Sequence, residues 1–128
     1  MNLPLENDDV SPVLDAGLFQ EVRESLGNEL HVVAGIYTRF LGNAARSLEE
    51  SRRQSGAARA ATLHTLKGSA AMVGATRIAN VAGHLQDSLV HAPADVAEAA
   101  LRELDGELEL FRDALGVHLE SLGYRPQR

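Results

Sequence analysis

Within residues 62–74, TLHTLKGSAAMVG, a histidine, the only lysine of the chain and a glycine stand at positions 64, 67 and 68. On a helix the spacings i, i+3 and i+4 bring His64, Lys67 and Gly68 onto one face. A glycine in a helix interior costs roughly 1 kcal/mol relative to alanine, so its presence there asks for a reason. With Leu63, Leu66, Ala70 and Val73 facing inward, the face that bears His64, Lys67, Gly68 and Ala71 turns to solvent. Gly68 and Ala71 leave that face nearly flat, open to the backbone or loop of another protein. A histidine is mostly neutral at cellular pH, and cationic neighbours favour that form. A neutral imidazole is a nucleophile capable of a covalent intermediate. One turn away, a lysine can neutralise a phosphoryl group carried on the ring nitrogen. The trio thus reads as a phosphoryl acceptor with a charge partner and an open approach. An exposed histidine near a lysine by coincidence fits the same five-residue pattern.

Charge placement bears on the same stretch. The 128-residue chain has a net charge of −6, which argues against nucleic acid as its main partner. From Ser51 to Gln86 there is no acid at all, while Arg52, Arg53, Arg59, Lys67 and Arg77 make that window +5 and leave −11 on the rest. A locally positive surface around His64 would receive an anionic partner; a solvated helical face with chance clustering is the alternative. With no cysteine, disulfides and thiolate metal sites are excluded. No apolar run reaches the roughly 18–20 residues of a membrane span, and the acidic start MNLPLENDDV lacks the features of a signal peptide. A soluble, cytoplasmic protein without membrane insertion is the expectation.

The elements that must position the trio all read as helices. Residues 1–10 form an acidic leader expected to be disordered, and 124–128 a frayed tail, around one domain at 11–123. A short helix is predicted over Ser11–Leu26, with Ser11-Pro12 as cap and first residue and Gly27 ending it. A long helix follows from a cap at Asn28 to Gln54, with Leu30, Ala34, Tyr37, Leu41, Ala44 and Leu48 as its apolar stripe. Gly42-Asn43 weakens it locally. Ser55-Gly56 separates it from the His64 helix, 57–73, where Gly74 supplies a left-handed terminus. A fourth helix, 75–91, turns Ile78, Val81, Ala82, Leu85 and Leu89 inward and stops at Ala92-Pro93. Asp95 and Glu98 resemble a capping box opening the last helix, to about Leu122, whose seam is Leu101, Leu104, Leu108, Phe111, Leu115 and Leu119 or Leu122. Short links between long amphipathic helices predict an all-α, up-and-down antiparallel four-helix bundle with a short additional N-terminal helix.

The segment HTLKGSAAMVGATRIANVAGHLQ resembles the motif of histidine-containing phosphotransfer (HPt) domains, four-helix modules that relay phosphoryl groups between receiver domains in two-component phosphorelays. It keeps that family's His64, Lys67, Gly68, the small Ser69 and Ala70, Gly74, and the fourth-helix positions Ile78, Ala82 and Leu85. With LFQEVRESLG and FLGNAARSLEES ahead of it, the resemblance spans about residues 13–120. It implies phosphorylation of His64 on Nε2, Lys67 holding the phosphoryl group, and Gly68 giving a receiver room to approach. It also implies a hydrogen bond from Gln86 to His64, although Gln86 reads equally as a surface residue. Gly42-Asn43 departs from the helix formers usual in the family. The implied partners are response-regulator receiver domains or a hybrid sensor histidine kinase. No cofactor is implied in this chain, with Mg2+ on the receiver, and a monomer is expected.

Other groups carry less. His84, Asp87 and His91 share a helix, but the two histidines lie roughly 10 Å apart, too far for one ion. His31 reads as a bundle-edge residue and His118 as a half-buried packing residue. Glu49-Glu50 and the run Glu103, Asp105, Glu107 and Glu109 read as solvated faces. Ser69 and Ser88 lack a nucleophile elbow. The helix pair of a sensor kinase would want an acid directly after the histidine, where Thr65 stands, and no ATP-binding glycine-rich box exists. The surviving alternative is a helical adaptor that binds a receiver or kinase through the His64 face without being phosphorylated.

Overall fold

Leucine and alanine recurring every three to four residues give five helices, and no strand, among the described residues 12–125 of the computed structural model. They are α1 (Ala16–Ser25), α2 (Leu30–Arg53), α3 (Gly56–Met72), α4 (Thr76–Ser88) and α5 (Ala94–Ser121). Each of the four longer helices packs on two of the others: α3 on α2 and α4, and α5 on α2 and α4, while α1 lies against α2. Among the described residues no helix is long and apolar enough to cross a membrane. The expected leader, 1–10, lies outside the described residues, as do Ser11 and 126–128.

One core runs through the ring. Tyr37, Phe19 and Phe111 are its largest fully buried side chains. The rings of Phe19 and Tyr37 stack with centroids 5.3 Å apart, and Phe40 meets Phe111 edge-on at 5.6 Å. The α2 stripe is wider than the spacing suggested: Val33 and Phe40 are buried, while Leu30 is half-buried. The reason is that α2 covers α1, α3 and α5 together, which needs a face broader than a two-helix seam. In α5 the seam closes with Leu119 buried and Leu122 half-buried. Val73 and Val81 are only half-buried. His118 is half-buried as expected and meets the Phe19 ring edge-on, with centroids 4.6 Å apart.

The helix starts differ from the expected caps. Asp15, not Ser11, caps α1: its carboxylate accepts the Leu18 N–H at 3.0 Å. Asn28 does not cap α2. It sits in the left-handed region (φ 63°) and Glu29 precedes the helix without a side-chain cap. The Asp95–Glu98 box does not form either; Pro93 precedes α5, and the Glu98 carboxylate is engaged by Arg52 of α2 at 3.1 and 3.3 Å. A charge-assisted bond between helices outcompetes a local cap there. Helix α4 ends at Ser88, short of the expected 91.

The ends are better behaved. After α1, α3 and α5 the backbone closes in the same way, with a glycine in the left-handed region at Gly27, Gly74 and Gly123. The following N–H reaches back to close a wider ring: Asn28 to the Arg23 carbonyl, Ala75 to that of Ala70, and Tyr124 to that of Leu119. Tyr124, expected in the frayed tail, is half-buried against the core through this closure. Helix α2 runs unbroken through Gly42-Asn43, with nothing near the place a Gly42 side chain would occupy.

Candidate functional site

Helix α3 is held by its inner edge. Leu63, Leu66 and Ala70 are 0–1% exposed, and this fixes the opposite face outward. His64, Lys67 and Gly68 all lie on that outer face, exposed, with Ala71 and Met72 beyond them. The structure thus brings together the three residues that the spacing joined. Among the described residues nothing outside its own helix backbone and chain neighbours approaches within 4 Å of the place a Gly68 Cβ would take, so no packing among them requires the glycine. The hydroxyls beside it are folded away. Thr65 Oγ1 donates to the Ala61 carbonyl, and Ser69 Oγ lies within bonding distance of the Thr65 and Leu66 carbonyls. These bonds keep the surface flat and the serine unactivated.

The C-terminal end of α3 is anchored by α2 and by the residue that caps α1. Tyr37 Oη of α2 donates to the Val73 carbonyl at 2.9 Å, and the Asp15 N–H donates to the Gly74 carbonyl at 2.8 Å. Burial, reinforced by the nearby Asp15 charge, pushes the Tyr37 hydroxyl up to about 12. At Gly74 a Cβ would lie 3.1 Å from Asp15 Cβ and 3.2 Å from its carbonyl oxygen, at φ 76°. Only glycine suits both the backbone and that close approach. At the other end Arg59, 6% exposed, donates from Nε to the Ser51 carbonyl at 3.0 Å and from Nη2 to that of Gln54. It thereby satisfies the Gln54 carbonyl at the end of α2 and adds a second donor to that of Ser51, which already accepts the Gln54 N–H.

The positive surface expected around His64 is largely consumed by the fold. Arg52 binds Glu98 and Asp105 on α5 and Glu49 on its own helix, and the bond to Asp105 holds it more firmly protonated. Arg59 is buried, as described. Arg77 of α4 forms a two-pronged pair with Glu107 of α5 at 3.0 and 2.9 Å. The run from Glu103 to Glu109 is therefore not a uniformly solvated face: Glu107 is 8% exposed. Of the five cations in the acid-free window, Arg53 and Lys67 remain exposed and outside any ion pair among the described residues. Lys67 is the one on α3.

Lys67 also has a neighbour that the sequence reading did not single out. A Cβ on Gly83 of α4 would lie 3.1 Å from Lys67 Cδ, 3.3 Å from Cε and 3.7 Å from Nζ. The lysine stem therefore crosses the α3–α4 groove directly over Gly83. Nothing in the sequence marked it, since positions equidistant from Gly74 pair 67 with 81 rather than 83. Gln86 lies one turn further along α4, half-buried; its Oε1 is buried with no hydrogen-bond partner and so is not bonded to His64 here. His84, Asp87 and His91 are exposed. Among the described residues no group of three or more histidines and acids could hold a metal ion.

A helical domain in which a histidine, with a lysine and a glycine in the following turn, all lie exposed on one helix face has the arrangement of a phosphotransfer module. The family model described as Hpt domain matches residues 18–114, and the chain belongs to that family. No curated protein and no solved structure matches the chain. Membership makes histidine phosphotransfer in two-component signalling the general function, with receiver domains and kinases as the general class of partner.

Proposed function

We propose that His64 is the phosphocarrier of this domain, taking a phosphoryl group from the phospho-aspartate of one receiver and passing it to the aspartate of another. In the first step the Nε2 lone pair attacks phosphorus in line. The N–P bond forms as the aspartyl P–O bond breaks, and that electron pair leaves with the carboxylate. The return step is the reverse on the second receiver. Lys67 meets the charge of the transferring group, and Gln86, whose buried oxygen lacks a partner, is the residue for a hydrogen bond to His64. Mg2+ belongs to the receiver, and this chain contributes neither nucleotide nor metal of its own. Positioning and charge neutralisation supply the rate in such transfers. A cytoplasmic monomer, its helices running up-and-down antiparallel, leaves His64 free for successive partners.

The observation that carries this reading is Gly68. It weakens α3, nothing among the described residues packs where its side chain would be, and it lies one turn from an exposed histidine. Space kept open at such a cost serves an incoming surface. The test is incubation with a phosphorylated receiver, reading label that is stable in base and lost in acid, with His64→Gln alongside. Label on the parent alone supports the carrier. A folded parent that binds receivers yet takes no label would make the chain an adaptor instead.

A further inference from the structure

Gly83 has no role in the phosphocarrier reading so far, yet the three atoms nearest to the side chain it lacks all belong to Lys67. A helix interior disfavours glycine, and this one is neither a turn nor a terminus, since α4 continues on both sides of it. What its absent side chain provides is a trough across α4, filled by the lysine stem. A lysine on an exposed helix otherwise samples many rotamers, and fixing them has an entropic cost at the moment a phosphoryl group must be met.

We propose that Gly83 is the positioning residue for Lys67: the trough at Gly83 holds the lysine stem against α4, so that its ammonium is already placed beside the His64 face when the phosphoryl group arrives. This rests on the phosphocarrier reading above and adds a residue to it. Even the single methyl of alanine at 83 would sit closer to Lys67 Cδ and Cε than ordinary contact allows. The flexible stem is what must yield. A β-branched residue fills the trough and lifts the stem out of it.

Lys67 is the only lysine in the chain, so its Hε signals are free of overlap from other lysines. In the unphosphorylated protein a nuclear Overhauser contact between Lys67 Hδ or Hε and Gly83 Hα is expected, and its absence overturns the trough. Transfer rates from a phosphorylated receiver are then compared for Gly83→Ala and Gly83→Val, each in the parent and in a Lys67→Ala background. In the parent, Gly83→Val slows transfer by about tenfold, approaching the loss from Lys67→Ala alone. Gly83→Ala falls between, with an unchanged or higher Tm because alanine is the better helix former. In the Lys67→Ala background neither change slows transfer further. Equal slowing with and without the lysine would mean that position 83 acts through docking or the backbone, and no slowing in the parent would equally overturn the proposal. If the parent takes no label although the Overhauser contact is present, the phosphocarrier reading fails and the positioning role with it, while the trough stands as a packing feature. Gly83→Ala keeps the comparison decisive should the valine variant fold poorly.

Discussion

Removing the carboxylate of Glu107 should destabilise the domain far more than removing a surface acid. Glu107 is 8% exposed and receives both prongs of Arg77 at 3.0 and 2.9 Å. Truncation to alanine leaves a guanidinium partnerless beside the α4–α5 contact, and breaking a buried pair in this way costs about 3–5 kcal/mol. The Arg77 side chain is 28% exposed, so water recovers part of that loss, and about 2–3 kcal/mol is the expectation. For a chain of this length the unfolding entropy converts each kcal/mol into about 4 °C. Glu107→Ala should therefore lower Tm by about 8–12 °C, read by circular dichroism with urea unfolding as the independent measure. The joint replacement Arg77→Met with Glu107→Leu should recover most of it, because no buried charge is left unpaired. A fall of less than about 3 °C for Glu107→Ala would place the pair in the class of surface ion pairs worth under about 1 kcal/mol, and the argument from burial would be wrong.

Other outcomes follow from the turn and the open face. Gly74→Ala should cost about 2–3 kcal/mol, since alanine pays for the left-handed backbone and also meets Asp15; an unchanged urea midpoint would refute this. Gly68→Ala should raise stability by up to about 1 kcal/mol, while Gly68→Leu, also a helix former, should slow transfer to His64; full-rate transfer by the leucine variant would remove the access argument. The Tyr37 hydroxyl is held protonated to about pH 12 in the fold against a usual value of 10. Its contribution is therefore fully present below pH 10 and lost as pH rises towards 12, because the unfolded chain ionises first. Stability measured across that range should fall more steeply for the parent than for Tyr37→Phe, and parallel curves would contradict the shift.

The inner face of α3 and the exposure of His64, Lys67 and Gly68 were legible because they depend on helical period alone, which a short window contains. The destinations of the arginines were not. Arg52 reaches Glu98 and Asp105 at separations of 46 and 53 residues, and Arg77 reaches Glu107 at 30, distances over which a charge count along the chain carries no information. The same competition misplaced the caps: Glu98 and Asp95 have capping-box spacing, but Glu98 goes to Arg52 across the bundle. Gly83 was invisible for a related reason. Alone it is a weak helix residue, and it acquires meaning only when the Lys67 stem is seen lying on it.

What the arginines do elsewhere changes how the site must work. A positive surface of five cations would bind an acidic receiver pocket strongly and hold it, with a pronounced dependence on salt. Among the described residues Arg53 and Lys67 are the cations of that window left exposed and unpaired, and Lys67 is the one on α3, because Arg59 is buried against backbone carbonyls and Arg52 and Arg77 are engaged by acids of α5. On the phosphocarrier reading, attraction to the partner is then drawn towards Lys67, the residue proposed to meet the phosphoryl group, rather than spread over five cations. A carrier that must release one receiver before meeting the next gains from that arrangement, since weak docking shortens residence while the charge at the transferring group is kept. On that reading, with Lys67 the one exposed, unpaired cation of α3 among the described residues, its placement matters more than the number of charges, and the proposed trough at Gly83 would supply that placement.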